Sequence, residues 1–478
     1  MTLKRISTGV VGLDKILSGG LIIEQSYLIK GQPGSGKTTL GFHFLDEGKT
    51  EAGLFISFSE PEARLRRNAK LMQMDLDGVE FLDLSPTADF FIEDLTYDIF
   101  TPEEVDKTPT TKSIIDTIDR IKPQRVFLDG ILQFRYFARD SFQFRKQMQS
   151  FIDFMRDRQI TFLFTSEESQ RYPDDDLQFM SDSVIKLKTS HKRQIEVSKY
   201  RSSGFMAGNH DLILNDRGMQ VFPSLIPDGR KRDFLFESIS AGIFEIDELL
   251  HGGIERGTVT IVSGPSGVGK STFCIQFMNE AAKRGERSVL YTFEESEETI
   301  IKRCEAINIP VREMLEDGTL SVVAIEPLKY TSNQFIHYVC QEVEQNQAKI
   351  ITIDSTSGYQ LSMQEGNLIR QLHSMCHYLT DRGVTVILIN ETHTVTGGKF
   401  SVTEVGLSYL ADNLIFLRYL ELRGELRKAI GVLKKRTSNF ERTLREFQIT
   451  KDGIKVGKPL TKLRGILNGV PTWVDEDK

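Results

Sequence analysis

The chain has 478 residues, enough for two or three ordinary domains, and its 39% hydrophobic content supports packed cores. Lys and Arg total 60 against 67 Asp and Glu, so the formal net charge of −7 argues against a broad nucleic-acid or membrane footprint, though not against a local basic groove. The four cysteines all lie in the second half without a Cys-x-x-Cys pair, the amino terminus has no signal-peptide core, and no apolar run is long enough to cross a bilayer; the expected setting is the reducing cytoplasm, without disulfides or a zinc site.

An apolar strand over 25–30 runs into Gly31-Gln-Pro-Gly34-Ser35-Gly36-Lys37-Thr38, which fits G-x-x-x-x-G-K-[ST], and a helix follows over 39–45. The glycines let the backbone wrap a polyphosphate with its N–H groups facing the anion, and the helix end adds a favourable field. Lys37 is placed to reach the β and γ phosphates, and Thr38 to offer a hydroxyl to Mg²⁺. A strand over 54–58 ends before Ser59-Glu60, where a carboxylate can act as general base. Residues 86–111, with scattered Asp, Glu, Pro and Thr, read as a long surface loop. The strand over 125–129 ends in Asp129, the acidic residue expected to hold the Mg²⁺ water shell, and another strand follows over 160–165. Late in this half comes Lys199-Tyr200-Arg201, whose cations suit a finger reaching a neighbour's γ-phosphate. Residues 226–236, polar and rich in Pro and Gly, read as the linker between domains over 1–225 and 237–478.

The second half repeats the first. Gly264-Pro-Ser-Gly267-Val268-Gly269-Lys270-Ser271 is a second phosphate loop, its lysine 233 positions from the first (270 − 37), and at that offset Gly9 falls on Gly242 and Asp14 on Asp247. Ungapped register of this kind marks an internal duplication, so two nucleotide sites are expected. Strands over 258–263, 288–293, 350–354 and 384–389, alternating with helical stretches, predict a mostly parallel sheet with helices on both faces in each half. Ser271 and Asp354 are the Mg²⁺ candidates, joined by Glu294. Glu294-Glu295 stand where the first half has Ser59-Glu60. If the first Glu is the base, the first half hydrolyses slowly; if Glu60 serves, the loss is small. Lys434-Lys435-Arg436 repeats the cation pair, and a contact of this kind repeated around an axis closes a ring.

Taken together these residues, and most specifically the block from Leu410-Ala-Asp-Asn to Arg436 with Arg445-Glu-Phe-Gln-Ile449, resemble the KaiC family of the RecA superfamily across nearly the whole chain. The resemblance implies tandem RecA-like P-loop NTPase domains of α/β class in a double-ring homohexamer, with ATP and Mg²⁺ at subunit interfaces. It implies ATP hydrolysis in the first ring and reversible serine/threonine autophosphorylation in the second. The expected ATP contacts are Gly34, Ser35, Gly36, Lys37, Thr38, Thr39, Lys199, Tyr200, Arg201 and Asp216 in the first half. In the second they are Gly267, Val268, Gly269, Lys270, Ser271, Thr272, Lys434, Lys435 and Arg436. The family's adjacent phosphoacceptors fall on Ser408 and Tyr409, with Tyr409 a weak acceptor because its hydroxyl lies well beyond the reach of a threonine's; Thr403, a further phosphate-exchange position, is kept. A family histidine near the first-ring finger is Phe205 here. The chain ends at Lys478 without the family's KaiA-binding tail, so no response to KaiA is expected, whereas a KaiB-like protein or a signalling kinase fits as a partner. A DNA-dependent, helicase-like ATPase would need a basic, aromatic-lined channel, and a nucleotide-gated scaffold would show little turnover; these are the rival readings.

Overall fold

A computed structural model describes residues 3–85, 108–136, 138, 140–167, 174–226, 234–363, 368–392, 407–468 and 471–473. Two compact units divide the chain, Met1–Ser224 and Leu225–Lys478. Most of the expected linker, residues 227–233, lies outside the described residues.

The first unit is built on nine strands: β1 (Ser26–Gly31), β2 (Gly53–Ser57), β3 (Val79–Asp83), β4 (Arg125–Asp129), β5 (Thr161–Glu167), β6 (Ser183–Thr189), β7 (Arg193–Tyr200), β8 (His210–Asn215) and β9 (Gly218–Phe222). Their order is β9-β8-β7-β6-β1-β5-β4-β2-β3. From β6 to β3 every pairing is parallel, and β7, β8 and β9 extend the sheet as antiparallel strands. Parallel strands covered on both faces read as apolar runs, as Tyr27-Leu-Ile29 does in β1. One core layer holds Tyr27, Phe55 and Phe127 and the other Leu28, Leu54 and Leu128, the alternation of a strand with two buried faces.

The second unit repeats this with β10 (Val259–Gly264), β11 (Ser288–Thr292), β12 (Leu320–Ala324), β13 (Ile350–Asp354), β14 (Thr385–Glu391), β15 (Asn413–Leu422), β16 (Glu425–Lys435), β17 (Arg445–Thr450) and β18 (Gly453–Pro459). Read from β18, the order is β18-β17-β16-β15-β10-β14-β13-β11-β12, the same topology. The antiparallel pair β6–β7 has a register shift at Val184/Ile185, and β15–β16 has one at Leu414/Ile415. The chain-entry turn is repeated too. Asp14 accepts from Ser7 Oγ and Thr8 N–H at 2.6 and 2.8 Å, and Asp247 from Ser240 Oγ and Ala241 N–H at 2.5 and 2.8 Å.

The phosphate-loop helices are α1 (Lys37–Glu47) and, in the second unit, α3 (Lys270–Lys283); α2 (Glu62–Leu71) and α4 (Glu297–Glu305) follow β2 and β11. Helix α1 lies so close to β4 that a Cβ on Gly41 would sit 2.4 Å from the Phe127 ring. Helix α1 begins two positions before the expected 39, α3 begins at the equivalent lysine, and β4 and β13 carry the bounds read from the sequence. The expected loop over 86–111 is corrected at its end. Thr108–Ile121 is a helix, and Pro109 near its start is tolerated because first-turn N–H groups have no helical partner. Residues 86–107 lie outside the described residues.

Candidate nucleotide site

Each phosphate loop leaves a strand at its carboxyl end, where open α/β sheets form their crevice. Gly34 and Gly36 sit at φ +73° and +100°, and Gly267 and Gly269 at +74° and +114°. A side chain would be strained at these angles, so glycine is what lets the loop turn its amides outward. A Cβ on Gly34 would meet nothing within 4 Å among the described residues, and Ser35 and Val268 are buried beneath the loops. The β8–β9 turn that carries Asp216 brings Leu214 and Met219 to within 3.1 Å of a Cβ on Gly36. Asp216 itself is exposed.

Strands β1 and β4 flank β5, so Thr38 and Asp129 face each other across its end, and Thr38 Oγ1 donates to Asp129 Oδ2 at 2.7 Å. Thr165 Oγ1 on β5 donates to the other oxygen, Oδ1, at 2.6 Å and fixes the carboxylate. In the second unit Ser271 hydrogen-bonds Asp354, whose burial pushes its carboxyl up to about 6, with Ser271 and Lys270 opposing. A hydroxyl paired with a carboxylate is a hard-oxygen donor set that suits Mg²⁺, which keeps most of its waters. Thr38 with Asp129, and Ser271 with Asp354, would hold it.

Burial pushes the Lys37 ammonium down, with Glu167 and Asp129 pulling it back up; burial does the same to Lys270, opposed by Glu391 and Asp354. Lys37 Nζ donates to Gly31 and Gln32 carbonyls at 2.9 and 3.1 Å, and Lys270 Nζ to the Pro265 carbonyl at 2.9 Å. A phosphate would supply a stronger acceptor for either cation. Glu167 and Glu391, the last residues of β5 and β14, went unread in the sequence; strand order alone puts each between a phosphate loop and its acidic strand.

In the second unit these parts line a cavity of about 320 Å³ with Gly267, Gly269, Lys270, Ser271, Thr272, Glu294, Glu295 and Asp354. Ser355 donates to Glu294 Oε1 at 3.0 Å, while Glu295 pairs with Arg303 at 2.8 Å. In the first unit Ser59 and Gly130 replace Glu294 and Ser355, and Glu60 pairs with Arg64 at 3.1 Å. Arg303, Lys428 and Ile449 also line the second cavity and were missed in the sequence, because strand pairing and helix docking bring them in.

The cation pairs lie elsewhere. Lys199 Nζ donates to the Gln178, Phe179 and Ser181 carbonyls at 2.7–2.9 Å, and Arg201 to the Phe179 carbonyl at 3.0 Å. Likewise Lys434 donates to the Ser408 carbonyl at 3.0 Å and Arg436 to the Tyr409 carbonyl at 3.1 Å. By these partners Gln178 stands where Ser408 does and Phe179 where Tyr409 does. The first unit therefore has no hydroxyl at that position. Ser408 and Tyr409 are the exposed residues of a 3₁₀ turn, Leu407–Tyr409, whose Leu407 is buried, and the Tyr409 ring lies 5.9 Å from that of His373. Thr403 lies outside the described residues. The middle residues of the two triplets differ from their expected role. Tyr200 is buried, its hydroxyl donating to the Gly20 carbonyl at 2.8 Å, and Lys435 is buried in an ion pair with Glu255 at 2.8 Å. Their side chains hold the fold, and a nucleotide could meet their backbone alone. Phe205 packs half-buried against the first core.

The family model "ATPase: KaiC" matches the chain twice, over residues 6–226 and 239–461. The chain belongs to the KaiC family. It is 28% identical to the circadian clock protein KaiC3 of Synechocystis over 498 aligned positions, covering 100% of this chain and 96% of that protein. It is 26% identical to the circadian clock oscillator protein KaiC of Parasynechococcus marenigrum, covering 100% and 95%, and 25% identical to that of Synechococcus elongatus, covering 99% and 93%. The tandem P-loop sheets are therefore the repeated KaiC ATPase domain, and the protein is a KaiC-like ATPase. No helix among the described residues is long and apolar enough to cross a membrane.

Proposed function

We propose that this KaiC-family protein is a cytoplasmic, ATP-assembled homohexameric double ring, an ATPase in its first domain (1–225) and a serine autokinase in its second (237–478), serving regulation. One observation carries the reading. Lys434 and Arg436 hold the Ser408–Tyr409 turn, yet none of these four residues lines the cavity that contains Lys270 and Glu294. The acceptor would reach a γ-phosphate in a neighbouring copy's cavity. There Lys270 would hold the phosphates, and Glu294, oriented by Ser355, would take the proton of the Ser408 hydroxyl as its oxygen attacks the γ-phosphorus. The bond to the bridging oxygen breaks and ADP leaves. Mg²⁺ held by Ser271 and Asp354 would supply neutralising charge to the phosphates. Lys434 and Arg436 would complete the neighbour's site as trans cations.

Mixing two variants tests this. K270A keeps the acceptor and loses its own phosphate lysine; S408A keeps the site and loses the acceptor. Each alone is expected to stay unlabelled with Mg-ATP, and the mixture to label Ser408 of the K270A chains. An unlabelled mixture of well-assembled rings contradicts transfer between copies.

A second reading holds for the first domain, where Ser59 and Gly130 remove both partners of the Glu294–Ser355 pair: it works there mainly as a nucleotide-gated assembly module with slow turnover.

A further inference from the structure

Arg303 was not among the residues read from the sequence, and its surroundings in the second cavity are unusual. Its Nη1 donates to Thr272 Oγ1 at 2.6 Å and its Nη2 to Glu295 Oε2 at 2.8 Å. Its Nε is buried and has no hydrogen-bond partner among the described residues. A guanidinium is a rigid fork of five donors, and a buried donor left unmade is costly, so the group is short of an acceptor. The cavity it lines is the one that holds the phosphate loop, and Thr272 directly follows Ser271.

The duplication shows that this cation is particular to the second site. Helices α2 and α4 superpose in sequence at an offset of 235 (297 − 62). At that offset Gln73 at φ +62° falls on Asn308 at +61°, and the buried Ala69 on the buried Cys304. In the same register Asn68 stands where Arg303 does.

We propose that Arg303 is a nucleotide ligand of the second site, exchanging Glu295 for the α- and β-phosphate oxygens of a nucleoside di- or triphosphate. This rests on reading the cavity as the nucleotide site. The phosphate loop cradles those same phosphates, a diphosphate offers more charge than one carboxylate, and the fork matches its paired oxygens. Because both phosphates persist in ADP, the second site holds ADP firmly, and the first, with Asn68, does not.

Calorimetric titration of the full chain with Mg-ADP tests the assignment. R303N is expected to weaken one of two binding events by roughly tenfold or more and to leave the other unchanged. E295Q, which removes the competing carboxylate, tightens the same event, and N68R tightens the first-site event. If R303N unfolds, R303K decides instead, since it keeps the charge and loses the fork, and it is expected to bind several-fold more weakly than wild type. Affinities within twofold of wild type for the arginine variant overturn the proposal. So does equal weakening by R303N and E295Q, the mark of an arginine that only holds Glu295 in place. Wild-type protein with no second-site ADP binding at all would overturn the reading of the cavity itself.

Discussion

At the residue scale the two halves differ at a few side chains that decide what each site can do. Glu294 is held by Ser355 at 3.0 Å, whereas Ser59 and Gly130 leave the first site without either group. Loss of a general base costs ~10²–10⁴ in rate, so E294Q is expected to lower Ser408 labelling by that factor while ADP binding persists. The reverse change, S59E made together with K270A so that only first-site hydrolysis is counted, is expected to raise phosphate release roughly tenfold. An unchanged rate would show that Glu60 already serves as base. The phosphate-loop residues and both acidic strand ends were legible because their spacing encodes their chemistry. The inward side chains of Tyr200 and Lys435 were not legible, because adjacency to a cation pair says nothing about which face of a strand a residue takes; alternation turns the middle residue inward. Arg303 was illegible as a single residue, and only its register against Asn68 distinguishes it.

At the element scale, the phosphate helix α3 is flanked by two glycines, Gly269 before it and Gly285 after it, whose substitution separates strain from crowding. Gly269 sits at φ +114°, with a Cβ there placed 2.5 Å from Ile449 Cδ1, while Gly285 sits at +72° with nothing within 4 Å among the described residues. Gly269→Ala is expected to cost ~1–3 kcal/mol and Gly285→Ala about 1, measured by denaturant unfolding. The first unit also carries two histidines, His210 buried and His43 half-buried, that each accept a backbone N–H. His43 Nε2 accepts from the Met219 N–H at 2.8 Å and His210 Nδ1 from the Ser224 N–H at 3.0 Å. Burial lowers both below the ordinary 6.5, with Asp46 opposing at His43 and the Met206 carbonyl, Asp211 and Glu196 at His210. The unfolded chain therefore binds these protons first. Their contribution is complete above about pH 6.5 and is lost as pH falls through the lower folded values. Calorimetry between pH 7.5 and 5.5 is expected to show the first unit's transition falling by a few degrees, about 2–4 °C per kcal/mol lost, and H43Q should flatten that slope. The central strands β1, β2, β4 and β5 and their repeats β10, β11, β13 and β14 were legible because buried parallel strands are largely apolar, whereas β3, β6, β12 and the antiparallel strands were not read. The helix from Thr108 was not, because its polar, proline-containing start resembles a loop.

At the scale of the whole molecule, a duplicated chain places its phosphate loops and its cation pairs at separate positions in each unit, an arrangement that works when copies meet. ATP is expected to raise the mass seen by light scattering about sixfold, and K37A is expected to impair this more than K270A, since the first domain is read as the assembly module. A species that remains monomeric at saturating Mg-ATP would contradict the ring. The central claim is that the second domain transfers phosphate to its own kind at Ser408. The most direct measurement is phosphopeptide mass spectrometry of wild type, S408A and Y409F after incubation with Mg-ATP. The account predicts phosphate on Ser408 in wild type and Y409F and none in S408A. Phosphate confined to Tyr409, or ATP consumed with no phosphopeptide anywhere, would contradict the autokinase and leave an ATPase.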